Sequence, residues 1–456
     1  MLEDESALLK QWFDEGRFDA RHPVAGCELE AWLIDKRGAP APVNVECLEM
    51  LDEEQASPEL SQFNIELNFP PVTLAGDTFT RLHNEIEQGW SRLAGIAGQY
   101  NAQCVCCGIL PTVREEHLTP DFMSPLNRYA ALNEQVLLQR GGEPIHIDVV
   151  GHEHFTLDQH DVMLESATTS FQVHMQVPQE LAARYLNASM IVSAPLVAVA
   201  ANSPYLFGHD LWEETRIPVF EQSVASGGYA QAAHGPLKRI TFGNDYVRES
   251  LWECFEENLR YYPILLPHDF HQPVEKMAHL QLHNGTIWRW NRPLIGFADG
   301  QPHLRIEQRV LPSGPTIIDM VANMAFYYGL VQSFVCREQP PEILLEFALA
   351  RENFYKAAKY GLSTNIRWLD GNNIQISRLV LEHLMEQAWL GLEALGVNDA
   401  DIKKYLCIVE RRVAKGLTGA SWQRQYVKQH GNDMHQLLDA YRERQSQSLP
   451  VHEWEV

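Results

Sequence analysis

Alternation is the strongest pattern in the chain. In QFNIELNFPP, residues 62 to 71, Phe63, Ile65, Leu67 and Phe69 fall on one parity and Gln62, Asn64, Glu66 and Asn68 on the other, the period of a strand with one apolar face. GCELEAWLID repeats the design, with Cys27, Leu29, Ala31 and Leu33 opposite Glu28 and Glu30. In SFQVHMQV, Phe171, Val173, Met175 and Val177 oppose Ser170, Gln172, His174 and Gln176; in HLRIEQRVL, Leu304, Ile306 and Val310 oppose His303, Arg305, Glu307 and Arg309. The spacing predicts strands over 26–35, 62–69, 103–110, 144–150, 169–177, 279–290 and 303–311, and helices over 5–17, 78–100, 125–140 and 179–200. From Pro315 onward the apolar runs lengthen, as in TIIDMVANMAFYYGLVQSFV, and predict a mostly helical remainder. No internal repeat or low-complexity linker divides the chain. The expected fold class is α+β, with a body over 1–314 and a helical part over 315–456 packed on it rather than independent.

The polar faces raise the functional question. A face turned only to water commonly carries Lys and Thr, yet these four carry almost no Lys and concentrate Glu, Arg, His and Gln. Taken singly, each strand fits the solvated outer face of an antiparallel sheet. If the strands share one sheet, Glu28, Glu30, Glu66, Glu307, His174, Arg305 and Arg309 assemble in one place. Four carboxylates together raise one another's pKa unless a cation neutralises them. Carboxylate oxygens suit Mg²⁺ or Mn²⁺, and arginines suit phosphate oxygens, so a metal-nucleotide site is the economical reading. Neither a G-x-x-x-x-G-K-[ST] nor a strand-following G-x-G-x-x-G motif is present. A bound nucleotide would therefore be held by the strands themselves.

Composition narrows the partners. The 456 residues are 45% hydrophobic and 21% charged, a globular balance, and the formal charge of −24 disfavours nucleic acid and anionic membranes as partners. The N-terminus MLEDESALLK is acidic where an export signal would be basic. The apolar run MIVSAPLVAVAA, with Pro195 inside it, is shorter than the ~20 residues a spanning helix needs. A cytoplasmic protein without membrane contact is expected. The eight cysteines include Cys104 and Cys107 at C-x-x-C spacing, but no second pair completes a zinc site, and their flanks read as a buried strand. His152, His154 and His160 in HEHFTLDQH read as a polar hairpin tip with metal binding as the alternative, and the Gly-rich stretch from Ala225 to Arg239 reads as a surface loop or a cover over a ligand.

These motifs, in this order, resemble the type 2 glutamate-cysteine ligases and related carboxylate-amine ligases, distant relatives of glutamine synthetase. The resemblance rests on Gly26, Glu28 and Glu30; Glu66 in IELN; Arg128 and Tyr129 in NRYAALNE; FQVHMQV; LVAVAANSPYLFGHD followed by Arg216; Arg292 and Pro293 leading to Glu307 and Arg309; RENFYKAAKYGL; and Arg424 in SWQRQ. Departures from the family pattern occur at Gln172, where His is common, and at Ala31, where an aromatic residue is common. The resemblance implies a curved, mainly antiparallel sheet forming a cup, with ATP phosphates above Mg²⁺ ions. It implies Glu28, Glu30, Glu66 and Glu307 as metal ligands, and Gln172, His174, Arg128 and Arg216 near metal or nucleotide. Arg292, Arg305 and Arg309 would face the transferred phosphoryl group or the acid substrate. The implied activity is ATP-dependent joining of an acid to an amine, both small molecules, through an acyl-phosphate, with a homodimer compatible. A phosphagen-type kinase on a similar sheet and a Mg-nucleotide binder without turnover are the alternatives.

Overall fold

The alternating strands do pair with one another, and every pairing in the main sheet is antiparallel. The computed structural model describes residues 1–19, 23–51, 55–226 and 238–456. Its strands are β1 (Val24–Ile34), β2 (Ala56–Pro58), β3 (Asn64–Thr73), β4 (Gln103–Val105), the hairpin β5 (Ile145–Val150) and β6 (His154–Gln159), β7 (Phe171–Val177), the short β8 (Tyr205–Leu206) and β9 (His209–Asp210), β10 (Asn291–Ala298), β11 (Gln301–Gln308) and, in the C-terminal part, the short pair β12 (Asn365–Arg367) and β13 (Asn373–Gln375). A seven-stranded sheet runs in the order β10-β11-β7-β1-β3-β2, with β4 also paired to β1. It is curled into a half-barrel. Pro70 and Pro71, which cannot donate to a ladder, fall where the β1–β3 register shifts between Ala25 and Cys27, a position that tolerates proline.

The apolar parity of each strand is buried: Cys27, Leu29, Ala31 and Leu33 of β1, Phe171, Val173 and Met175 of β7, and Leu304 and Ile306 of β11. Helices Thr78–Gln99, Ala182–Ala200 and Ile317–Val335 back the sheet. The segment Gln179–Ala200 is long and apolar enough to cross a membrane, and 89% of its most apolar window is buried inside the protein. Helix Ile317–Val335 is buried along nearly its whole length. From it, the Tyr328 hydroxyl donates to the His174 carbonyl at 2.6 Å, and Arg412 of helix Asp399–Lys415 pairs with Asp319 at 2.7 Å.

Two expectations fail. Residues 279–290 do not form a strand: 278–285 are helical, and the strand begins at Asn291. The alternation of Leu280 and Leu282 is genuine, but the buried set Leu280, His283 and Asn284 has helical spacing. The buried Glu5 carboxylate accepts from the Leu280 N–H and contacts His279 Nδ1, both at 2.7 Å, which satisfies the helix start. The strand expected over 103–110 ends at Val105, because Cys106 turns its N–H to Gln445 Oε1 at 3.2 Å instead of continuing the ladder. Of the three histidines, His152 and His154 mark the hairpin tip between β5 and β6, whereas His160 follows β6 at the other end of the hairpin. At the tip His154 pairs with Asp148 at 2.8 Å and His152 lies 3.5 Å from Asp210, all on the surface or near it. From 227 to 237 the Gly-rich stretch lies outside the described residues.

Candidate active site

Register places the polar parities side by side. Glu307 stands opposite Arg292 on one side and His174 on the other, Glu28 opposite Gln172, and Glu30 opposite Glu66. Side chains directly opposite on one face of an antiparallel pair lie ~5 Å apart at Cβ, so pairing alone gathers these residues. They line a cavity of about 380 Å³ together with Arg305, Arg309, Glu59, Glu165 and Tyr129, with Phe220, Leu60 and Leu132 among its apolar walls. A larger opening of about 900 Å³ lies elsewhere, between helix Thr78–Gln99, β4 and helix Met434–Ser446, and none of the sequence-predicted site residues lines it.

One half of the site is an arginine clamp. Arg292 makes a bidentate pair with Glu307, both bonds at 2.9 Å, and Arg309 adds a third at 3.0 Å. Burial alone would raise the Glu307 carboxyl, but Arg292, Arg309 and His174 hold it well below the usual carboxylate range. Glu28 is likewise lowered on balance: burial pushes it up, and His174, whose Nε2 lies 3.2 Å away, together with Arg309 offsets that. Arg305 is held below the usual guanidinium value by burial, against the pull of Glu28 and Glu307.

The other half is short of positive charge. Glu30 accepts from the Ser170 N–H at 2.6 Å, the Ser170 hydroxyl at 2.7 Å and Gln172 Nε2 at 2.9 Å. The same Gln172 nitrogen reaches Glu66 at 3.2 Å, and its oxygen accepts from Arg309 at 2.5 Å. Glu66 also accepts from Ser57 at 2.7 Å. Even so, burial raises Glu30, and burial plus neighbouring carboxylates pushes Glu66 and Glu59 well above their ordinary values.

Two sets of donors could each hold a cation. Ligand atoms of Glu28, His174 and Glu307 lie within 4.8 Å of one another, as do those of Glu30, Glu59 and Glu66. Carboxylate-rich sets of this kind fit a hard dication such as Mg²⁺ or Mn²⁺. Two observations support the fit: the raised carboxyls of the second set would be relieved by a positive charge, and the buried His174 Nε2, which faces Glu28 at 3.2 Å and Glu307 at 3.9 Å, has no hydrogen-bond partner among the described residues.

Arg216 and Arg128 are placed differently. Arg216 is buried behind the clamp, paired with Glu214 at 3.1 Å and donating to the Arg309 and Val310 carbonyls. Arg128 is exposed, donates to the Pro58 carbonyl at 3.0 Å and to the Tyr129 hydroxyl at 2.6 Å, and acts electrostatically on Glu59. Arg424 anchors Asp210 and Glu213. The cysteines are free thiols, and burial raises those at 104, 106 and 107.

Two acids of the cavity are not among the sequence-predicted residues. Glu59 shares the parity of Ser57, which pairs with Glu66; that signal was weak, because the three-residue strand ends at Pro58, one residue before it. Glu165 sits on a single 3₁₀ turn, Met163–Ala167, where no alternation exists to show its direction.

The profile of glutamate-cysteine ligase family 2 matches residues 24–440. No curated protein matches the chain at the level of sequence. Among solved structures, the glutamate–cysteine ligase of Francisella tularensis in complex with AMP is similar at 13% identity and a TM-score of 0.55, over 96% of this chain and 91% of that one. A bifunctional glutathione synthetase from Pasteurella multocida is similar at 11% identity and a TM-score of 0.53, over 97% of this chain and 55% of its own length. Those two likenesses concern the fold, whereas the profile extends from the first strand of the cup to the last long helix: the chain belongs to glutamate-cysteine ligase family 2 and is an ATP-dependent C–N ligase.

Proposed function

We propose that the protein joins the side-chain carboxylate of glutamate, or a closely similar acid, to a small amine through an acyl-phosphate formed from Mg-ATP. The observation that carries this reading is the pair of carboxylate sets flanking an arginine clamp on one face of one sheet. Free carboxylates are poor acyl donors, and phosphorylation converts one into a reactive acyl group that an amine can open. Catalysis of that kind is mainly positioning and charge stabilisation, which matches a cavity built from Glu, Arg, His and Gln. Divalent cations held by Glu28, His174 and Glu307 and by Glu30, Glu59 and Glu66 would neutralise phosphate charge.

The chain's own groups then divide the work. Arg292 and Arg309 keep Glu307 ionised and offer their remaining N–H donors to the phosphoryl group or the acid substrate. Arg305 adds a third positive charge beside them. Gln172 ties Glu30, Glu66 and Arg309 into one network, which links the two halves of the site. Arg216 and Arg128 act through the main chain they hold, around Arg309 and Pro58 respectively.

The deciding experiment is ADP release with Mg-ATP and L-glutamate, with and without L-cysteine and a panel of other amines, with mass spectrometry of the product. ADP release that requires an amine, together with a new amide, is expected. A phosphorylated guanidine product would point to a kinase, and tight Mg-ATP binding without turnover on any pair would leave a nucleotide binder. Glu28→Gln and Glu307→Gln should each reduce turnover at least a hundredfold, in the range of lost electrostatic contacts in preorganised sites; wild-type rates in both would remove the metal sets from the reaction.

A further inference from the structure

Among the described residues, six carboxylates line the cavity, and the two candidate cation sets use five of them. The sixth is Glu165. It sits on the 3₁₀ turn Met163–Ala167 that leads into β7, partly buried and facing the cavity. Among the described residues no group donates a hydrogen bond to its carboxylate. Burial and then the charge of Glu30 push it up to about 8 against the opposing pull of Arg309. A cavity-lining carboxylate without a hydrogen-bond donor among the described residues is open to a positively charged ligand.

The sheet register shows which side of the cavity it occupies. The turn leads into the start of β7 and packs on helix Arg216–Ser223, which carries Phe220. Arg305 stands opposite Gln176 near the other end of β7, and Arg292 opposite Glu307, itself across from His174. Glu165 thus enters from the end of the sheet away from two of the three arginines expected to hold the phosphoryl group and acid substrate. Phe220, Val224, Leu60 and Leu132 line the same cavity and could pack against a short carbon chain. A dication needs several oxygen ligands, and the carboxylates nearest Glu165 already belong to another set; an ammonium group needs only one good charged acceptor.

We propose that Glu165 holds the ammonium group of the amine substrate beside the activated acid and accepts one of its protons. The free amine then attacks the acyl carbon, the C–N bond forms as the C–O bond to phosphate breaks, and phosphate leaves with the amine's second proton. Glu165 is thereby a specificity-determining residue for the nucleophile. This rests on the ligase reading above. It predicts that primary amines carried as ammonium ions are selected over uncharged nucleophiles, and that the selection is lost when Glu165 is neutralised.

Hydroxylamine, largely uncharged near neutral pH, separates the two claims because it can trap an acyl-phosphate without an ammonium site. With Mg-ATP and L-glutamate, wild type and Glu165→Gln should form the hydroxamate at similar rates. With L-cysteine or the best amine of the panel, kcat/KM should fall about tenfold or more in Glu165→Gln, the size of one charge-assisted hydrogen bond. Glu165→Asp, which keeps the charge, should recover part of the loss. Equal falls with both nucleophiles, or no fall with either, would overturn the assignment. If wild type forms no hydroxamate, the acyl-phosphate reading fails separately, and Glu165 is then judged by binding. Calorimetric titration of ethylammonium into enzyme loaded with Mg²⁺ and a non-hydrolysable ATP analogue should show the same tenfold loss in Glu165→Gln, and identical titrations would sink the proposal.

Discussion

At the scale of single residues, the site is a balance of carboxylates pulled in opposite directions. Glu307 and Glu28 are lowered by arginine and histidine, so their contribution to stability is present above the ordinary carboxylate value of 4.5 and lost as pH falls through their folded values. Glu30, Glu59, Glu66 and Glu165 are raised, so in the metal-free protein they retain protons that the unfolded chain has released. Stability from that group falls as pH rises from 4.5, for Glu165 toward about 8. Between about pH 5 and pH 8 the raised group should govern, and denaturant unfolding of chelator-treated protein should show declining stability across that window. Saturating Mg²⁺ should flatten the decline, because a ligand that binds only the folded state adds stability, here most where the carboxylates are ionised. A flat profile without Mg²⁺ would contradict the electrostatic account. At this scale the sequence was informative wherever strand parity applied: Glu28, Glu30, Glu66, Gln172, His174, Arg305, Glu307 and Arg309 all line the cavity. It was silent for Glu165, whose direction is set by a turn, and nearly so for Glu59.

Elements show how local pattern yields to tertiary contact. Helix Ala278–Gly285 has the alternation of a strand, and a carboxylate from the first helix, Leu2–Glu15, completes its N-terminus. Glu5→Ala should destabilise the protein by about 1–2 kcal/mol, the range of a lost N-terminal cap, read from the urea midpoint at constant m. A change of a few tenths would mean that the helix start is held elsewhere. The strand beginning at Asn291 escaped the periodicity reading because NRPLIGFA carries a proline and a glycine and alternates poorly. As the edge strand of the sheet it tolerates both, and Pro293 needs no ladder donor on its open side. Arg292 came into view only through the family resemblance, and the pairing of β10 with β11 is what sets it against Glu307.

For the molecule as a whole, the sheet closes before residue 309, but its apolar face is covered partly by the helices of the C-terminal part. Helix Ile317–Val335 lies in the core, with Tyr328 bonded to the strand that carries His174. We therefore expect residues 1–314 alone to be insoluble or molten, with weak near-ultraviolet circular dichroism, and co-expression with 315–456 to restore a folded complex. A soluble, cooperatively unfolding 1–314 fragment would show that the helical part is an accessory. The charge of −24 acts at the same scale: an acidic molecule that gathers six carboxylates around one cavity attracts cations to it.

The sequence by itself determined which face of each strand is apolar, where the long helices run, and which carboxylates, arginines and amides share a parity, because alternation and helical periodicity are local properties that solvent exclusion enforces on any fold. Tertiary structure alone decided that β10, β11, β7, β1 and β3 lie side by side in registers that bring Arg292, Glu307, His174, Glu28, Gln172, Glu30 and Glu66 together. Register depends on contacts between residues up to hundreds of positions apart, and a slip of one residue would turn every polar side chain of a strand into the core. The same long-range packing turned residues 278–285 into a helix and brought Glu165 into the cavity.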